Sequence, residues 1–198
     1  QWNTLKAYAN DKGILLAELA GEGLANIPFD LAFTSPLCRA RQTAELVLAG
    51  RDVPLYVEPR LIEMAFGVYE GVTANSGPGG TLNQNLVDFI CHAERYQAPE
   101  GGESFEELSK RMADYLFDLC HRKDLADKTI LLASHGGAIT AMLNAIDPPE
   151  GFFWRGGVPY NCSYSIIDVG EDRVPVLVAE NQICYPLEQT KSTALRLD

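Results

Sequence analysis

A histidine stands between two apolar runs of the sequence. Thr129-Ile130-Leu131-Leu132-Ala133 precedes Ser134-His135-Gly136-Gly137, and a second apolar run begins at Ala138. This pattern predicts a buried strand that leads into a helix, with His135 on the turn between them. Such a turn lies at the carboxyl edge of a sheet, beside the free N–H groups of a helix start, where α/β proteins hold anions. His135 is therefore a candidate catalytic or anion-binding residue. The alternative is a histidine that only caps or packs against the helix.

Two arginines follow a second predicted strand, in Ser35-Pro36-Leu37-Cys38-Arg39-Ala40-Arg41. Arg39 and Arg41 are two residues apart and cannot share a helical face, so one can point into a cleft while the other faces solvent. The helix dipole disfavours positive charge at a helix start, which favours a role for at least one of them over two merely solvated side chains. A guanidinium fork binds phosphate oxygens in a bidentate manner.

One carboxylate lies in apolar surroundings. Glu63 follows Leu61-Ile62 and precedes Met64-Ala65-Phe66. A carboxyl group so placed can have a raised pKa and act as a general acid near neutral pH. A surface glutamate in a loop is the alternative.

Composition excludes several classes of protein. The chain has 198 residues, 46% of them hydrophobic, and a net charge of −11, which argues against a nucleic-acid or anionic-membrane surface. No apolar run approaches the roughly 18 residues that span a bilayer. The five cysteines are odd in number and widely spaced, which favours a reducing cytoplasm over a disulfide framework. With three histidines and no Cys-x-x-Cys pair, we expect no metal centre.

Strand and helix patterns alternate along the chain. Helices are predicted over 13–25, from Pro36 through 40–48, over 82–93, after a capping box at Ser104 and Glu107, and over 138–146. Strands are predicted over 30–34, 53–57 and 129–133, followed by a hairpin over 163–169 and 174–179. This order predicts a single α/β domain, a three-layer sandwich with a mostly parallel central sheet and helices on both faces.

Several motifs, in this order, resemble the histidine phosphatase superfamily, which has the phosphoglycerate-mutase-like fold. Ser35-Pro-Leu-x-Arg-Ala-x-Gln-Thr43 resembles the family's second arginine motif. Glu63 with Phe66-Gly67 and Glu70-Gly71 resembles its acid loop, and Gly101-Gly102-Glu103-Ser104 its Gly-Glu-Ser element. Ser134-His135-Gly136-Gly137 resembles its second histidine motif. The resemblance covers about residues 13 to 186.

The family's first motif, Arg-His-Gly, is not found in these 198 residues. Its histidine is the phosphoryl-accepting nucleophile, and Gln1-Trp2-Asn3 resembles the stretch just beyond it. We therefore expect a first strand with Arg-His-Gly upstream of residue 1. A chain that never had the nucleophile is the alternative.

The resemblance implies a metal-independent phosphomonoesterase with a phosphohistidine intermediate and no cofactor. It assigns catalysis to Glu63 and His135, and substrate binding to Arg39, Asn3 and Gly136. The expected partner is a small phosphorylated substrate, with no nucleic acid and no membrane, and a homodimer stays open. Two other functions also stay open: a cofactor-dependent phosphoglycerate mutase and an inactive relative that binds phospholigands or a protein. The mutase is disfavoured because Arg95 is the only Lys or Arg between Met64 and Pro99, and because the glycine-rich stretch 73–85 suits an open loop better than a sealed lid.

Overall fold

Three short strands form a parallel sheet in this computed structural model, which describes residues 9–72 and 82–190. They are β1 (Leu31–Thr34), β2 (Leu55–Val57) and β3 (Ile130–Ala133), in the order β2-β1-β3. Thr34 lies opposite both Val57 and Ala133. The residues that follow β1 and β3 therefore emerge side by side at one edge of the sheet, where the sequence placed its candidate residues.

Helices cover both faces of the sheet. On one face α1 (Asp11–Gly23) and α2 (Cys38–Val47) pack through Ala20, Leu24 and Val47 onto Leu131 of β3. On the other face α4 (Phe105–His121) and α5 (Gly136–Asn144) share a core with Ile130 and Leu132. Neighbouring residues of β3 thus point to opposite faces, as the pleat of a strand requires.

The predicted three-layer α/β architecture is confirmed, with changes at the ends of some elements. The helix predicted over 82–93 is α3 (Gln84–Cys91), followed by a 3₁₀ turn, Ala93–Arg95. β2 is shorter than the predicted 53–57. Pro36 does not begin α2, because the extended Leu37 is the N-cap and places Pro36 before the helix. The capping box of α4 is present, with Ser104 and Glu107 each bonded to the other's backbone N–H.

The predicted hairpin is present and forms a sheet of its own. β4 (Tyr164–Val169) and β5 (Pro175–Gln182) pair antiparallel. Tyr164 packs against the same cluster as Leu131, and Ile167 against the same cluster as Leu132. The side chains of β4 therefore contribute to the cores on both faces of the parallel sheet, next to those of β3. Within the described ranges β3 pairs only with β1, so no described strand is hydrogen-bonded to its other edge.

Two further observations concern the described residues only. None of their helices has the length and apolar character needed to cross a membrane. All five cysteines lie in this part of the chain and are free thiols.

Candidate active site

His135 is held at the end of β3 by a buried serine. The imidazole Nε2 lies 2.8 Å from the hydroxyl of Ser35, the first residue after β1. His135 is the N-cap residue of α5, but its side chain makes no capping hydrogen bond, and it is only 8% exposed. The neighbouring Ser134 donates its hydroxyl to the carbonyl of Leu61 at 2.7 Å, which fixes the turn against the segment that carries Glu63.

Glu63 occupies the N-terminus of α5. Its carboxylate accepts the backbone N–H of Gly137 at 3.2 Å and of Ala138 at 3.1 Å, and also that of Met64 at 2.9 Å. The sequence predicted that the free N–H groups at the start of α5 would bind an anion. Two of them, those of Gly137 and Ala138, donate to the Glu63 side chain instead. The N–H of Gly136 has no partner among the described residues and remains available.

A glycine permits this approach of Glu63 to the helix. A Cβ atom at Gly137 would lie 2.7 Å from the Glu63 Oε1 atom, closer than real Cβ contacts come. Burial raises the pKa of Glu63, while its three backbone hydrogen bonds and the charge of Arg39 offset part of that rise. The carboxyl group is therefore of the kind that holds a proton closer to neutral pH than an ordinary glutamate does.

Arg111 of α4 fixes the segment that leads to Glu63. Its guanidinium makes a two-bond pair with Glu103, at 2.9 and 2.8 Å. It also donates to the carbonyls of Arg60 at 2.5 Å and Ile62 at 3.0 Å. Glu103 belongs to the Gly-Glu-Ser element, so in this chain that element orients an arginine that holds the acid loop.

The two candidate arginines point in different directions. Arg41 pairs with Glu45 at 2.8 Å, and its side chain is 61% exposed. Arg39 is half-buried and has no hydrogen-bond or ion-pair partner among the described residues. Its charge acts on both Glu63 and His135. An unpaired, half-buried guanidinium is costly unless an anion joins it, which makes Arg39 the anion-binding candidate of the two.

His135 is electrically neutral in this environment. Burial, together with the charges of Arg39 and Arg111, lowers its pKa to about 3. Among the described residues, the guanidinium of Arg39 and the N–H of Gly136 have no partner, so these groups are candidates to bind an anion despite the net charge of the chain.

An open cavity of about 370 Å³ adjoins Glu63. Its lining consists of the following residues: Ile62, Glu63, Ala65, Gly102, Glu103, Glu107 and Arg111. Three of them are carboxylates, and the one cation is already paired with Glu103. These lining residues therefore offer no unpaired cation to a second anionic group.

The structure brings four of the five predicted site residues into one region: Arg39, Glu63, His135 and Gly136. Asn3 lies outside the described residues. Sequence reasoning missed Ser35 and Arg111. Ser35 could have been found from its position directly after β1, which matches that of Ser134-His135 directly after β3. Arg111 could have been found from its spacing of eight residues, about two helical turns, from Glu103.

Comparison with known proteins shows the family of the chain. Residues 9–182 match the family model of the histidine phosphatase superfamily (branch 1). The adenosylcobalamin/alpha-ribazole phosphatase of Salmonella typhimurium is 30% identical over 164 residues, which cover 81% of this chain and 78% of the relative. A 2,3-bisphosphoglycerate-dependent phosphoglycerate mutase of Beijerinckia indica is 31% identical over 145 residues, covering 69% of this chain and 68% of the relative. The solved structure of Bacillus stearothermophilus YhfR superimposes with a TM-score of 0.75 at 26% identity, over 88% of this chain and 84% of that one.

The fold is therefore an α/β sandwich whose candidate site lies at the carboxyl edge of its parallel sheet. The chain belongs to the histidine phosphatase superfamily, as its motifs predicted. Its activity class is the hydrolysis of phosphate monoesters.

Proposed function

We propose that this protein hydrolyses a small phosphate monoester through a phosphohistidine, with Arg39, His135 and Glu63 as the residues that act on the phosphoryl group. The observation that carries the assignment is that the guanidinium of Arg39 has no partner among the described residues, while its charge acts on both other side chains. Arg39 and His135 would donate to the phosphoryl oxygens, with the N–H of Gly136 beside them. Positioning and electrostatics of this kind supply most of the catalysis in phosphoryl transfer.

Glu63 serves both halves of the reaction in this proposal. A neutral imidazole attacks phosphorus, the N–P bond forms, the bond to the leaving oxygen breaks, and Glu63 gives its proton to that oxygen. The carboxylate then takes a proton from water, which attacks phosphorus and releases phosphate and the imidazole. The raised pKa of Glu63 supports the first step, and its hydrogen bonds to Gly137 and Ala138 support the carboxylate needed for the second.

The nucleophile is not supplied by the other two histidines of the chain. His121 stacks on Phe117 at 4.1 Å between ring centroids and contacts the carbonyl of that residue. His92 is exposed beside Glu94. Both are exposed, and neither contacts Arg39, Glu63 or His135.

We propose that a further strand on the open edge of β3 carries the nucleophilic histidine, in an Arg-His-Gly motif upstream of residue 1. Leu131 and Tyr164 share one cluster and Leu132 and Ile167 share the other, while β3 and β4 are not hydrogen-bonded. This arrangement suits an intervening strand, whose carboxyl end would lie next to His135. Intact-mass and N-terminal peptide analysis of the natural protein tests the proposal. A natural protein without a fourth histidine would overturn the phosphohistidine mechanism and favour the inactive relative.

Hydrolysis is favoured over mutase chemistry by the charges that line the cavity beside Glu63. A mutase needs a second anion site, whereas the cavity beside Glu63 is lined by three carboxylates and an arginine paired with Glu103. Of the more distant cations, Arg95 pairs with Glu94, and Arg155 is held by Asp147 and Glu180. Residues 73–81 of the predicted open loop lie outside the described residues. We therefore propose a substrate whose leaving group is neutral or cationic.

The assay that separates the two reactions uses the natural protein with 3-phosphoglycerate, with and without added 2,3-bisphosphoglycerate, alongside a panel of phosphate monoesters. The panel pairs phosphoethanolamine, whose leaving group is cationic, with phosphoglycolate, whose leaving group is anionic. We expect release of inorganic phosphate, and we expect it to be fastest from the esters that carry no second anionic group. Formation of 2-phosphoglycerate faster than release of phosphate from every ester would establish a mutase instead.

Three further proposals concern the cellular setting of the protein. Its five free cysteines support a cytoplasmic location, and its net charge of −11 supports the proposal that nucleic acid is not a partner. The exposed side chains of Val176 and Val178 in β5, and of Val174 just before it, support a homodimer. Sedimentation velocity tests the dimer, and a single monomeric species at high concentration would rule it out.

A further inference from the structure

The hydroxyl of Ser35 has a limited set of hydrogen bonds. Ser35 is completely buried, at the junction between β1 and α2. Its oxygen accepts the backbone N–H of Leu37 at 3.2 Å and lies 2.8 Å from Nε2 of His135. No other partner of this hydroxyl exists among the described residues. Within this part of the chain the hydroxyl hydrogen therefore has a single acceptor within reach, the imidazole nitrogen.

This count of protons distinguishes the two neutral forms of His135. If Nε2 carries no proton, it accepts the Ser35 hydroxyl hydrogen, and every bond of that hydroxyl is satisfied. If Nε2 carries the proton, it donates to Ser35, and the hydroxyl hydrogen is left without an acceptor. An unsatisfied donor in a buried place is costly, so the first arrangement is favoured. In it the ring proton is on Nδ1.

The position of the proton matters because the imidazole is neutral. Burial of the ring and the guanidinium groups of Arg39 and Arg111 all oppose its protonation. The carboxylate of Glu63 is bonded to the start of α5, and that of Glu103 is paired with Arg111. A neutral ring has one N–H, and Nε2 is occupied by Ser35. Only Nδ1, which has no partner among the described residues, is available to a ligand. As an N–H it donates to a phosphoryl oxygen, whereas as a bare lone pair it would repel one.

We propose that Ser35 is a positioning residue that holds His135 in the Nδ1–H form, so that a neutral imidazole presents a donor to the phosphoryl group. The identity of the acceptor rests on the proposed function, but the position of the proton does not. Ser35 thus prepares the donor before any substrate binds.

Nitrogen-15 NMR of the histidine rings tests the proposal near neutral pH, on the 198-residue chain and on the natural protein. With three histidines, the His135→Gln variant identifies the signals of His135. We expect Nδ1 to resonate as a protonated and Nε2 as an unprotonated ring nitrogen. A wild-type spectrum with Nε2 protonated would overturn the proposal, and this measurement needs no variant of Ser35.

Variants then test the cause. Ser35→Ala should give a mixture of the two forms, and Ser35→Thr, which keeps the hydroxyl, should restore the Nδ1–H form. Thr34→Val removes the neighbouring buried hydroxyl, whose one partner among the described residues is the Ser35 carbonyl, and should change nothing. An unchanged His135 spectrum in folded Ser35→Ala would show that Ser35 does not control the tautomer.

Inorganic phosphate separates this proposal from the function on which it rests. Titration should shift the Nδ1 signal of the wild type, and Ser35→Ala should bind phosphate about tenfold more weakly. If the Nδ1–H form is observed but phosphate leaves Nδ1 unchanged, the tautomer assignment stands and the phosphate-binding role of His135 is wrong.

Discussion

Arg39 and Arg41 provide the sharpest test of the site, because they are the same residue type in the first turn of one helix. Arg39 is half-buried and unpaired among the described residues, and its charge acts on Glu63 and His135. Arg41 is 61% exposed and paired with Glu45. Replacing each by alanine removes the same charge from two different environments.

The expected loss of activity is large for Arg39 only. Removing a charge-assisted donor from a developing phosphoryl charge costs on the order of 2–4 kcal/mol. At about 1.4 kcal/mol for each factor of ten, this corresponds to roughly a 30- to 1,000-fold decrease in kcat/KM. Arg41→Ala should change kcat/KM less than about twofold, because a surface pair contributes only a few tenths of a kcal/mol.

The expected ranking in stability is the reverse. Arg41→Ala breaks an i,i+4 pair and should lower the free energy of unfolding by about 0.3–0.5 kcal/mol. Arg39→Ala removes an unpaired cation from a helix start, where the dipole disfavours it, and should leave stability unchanged or raised. Arg39→Lys keeps the charge without the fork and should recover only part of the activity.

The measurements are steady-state hydrolysis of a phosphate monoester by the natural protein, calorimetric titration with inorganic phosphate, and urea unfolding. A larger loss of hydrolysis and phosphate binding in Arg41→Ala than in Arg39→Ala would refute the assignment of Arg39 as the phosphate-binding arginine. Equal losses at both positions, accompanied by equal losses of stability, would show that the helix start has only a structural role.

Three other predictions use the same site. The unfolded His135 takes up a proton below about pH 6.5, whereas the folded one does so only below about pH 3. The contribution of this group to the free energy of unfolding should therefore fall by about 1.4 kcal/mol per unit as the pH drops through this range. Urea unfolding from pH 6 to 4.5 should show a steeper fall for the wild type than for His135→Gln, and parallel curves would contradict the prediction. Gly137→Ala should lower kcat at least tenfold with little change in Tm, because the new Cβ displaces the Glu63 carboxylate from α5 while alanine favours the helix. In the matched control Gly151→Ala the new Cβ meets open space, so this variant should keep full activity. A fully active Gly137→Ala would refute the placement of Glu63. Ser104→Ala should lower the free energy of unfolding by about 1 kcal/mol through loss of the capping box of α4, and an unchanged urea midpoint would mean that the box is not needed.

Local patterns were sufficient for the elements. The apolar run before Ser134 predicted β3, because a buried strand needs such a run, and the Ser104–Glu107 pair predicted the start of α4, because its hydrogen bonds lie within four residues. Helix ends were less certain, since they depend on contacts outside the element. Leu37, with no capping side chain, is the N-cap of α2 because the buried Ser35 accepts its N–H, and this places Pro36 outside the helix.

The sequence by itself determined the order of strands and helices, the family, and the turns on which Arg39, Glu63 and His135 stand, because periodicity and short motifs are properties of neighbouring residues. Only the tertiary structure decided which arginine is unpaired, that Glu63 binds the helix start that an anion was expected to use, and that Ser35 and Arg111 hold the site. These contacts join residues 8 to 100 positions apart, and the charge and hydrogen-bond partners of a buried group depend on what the fold places around it.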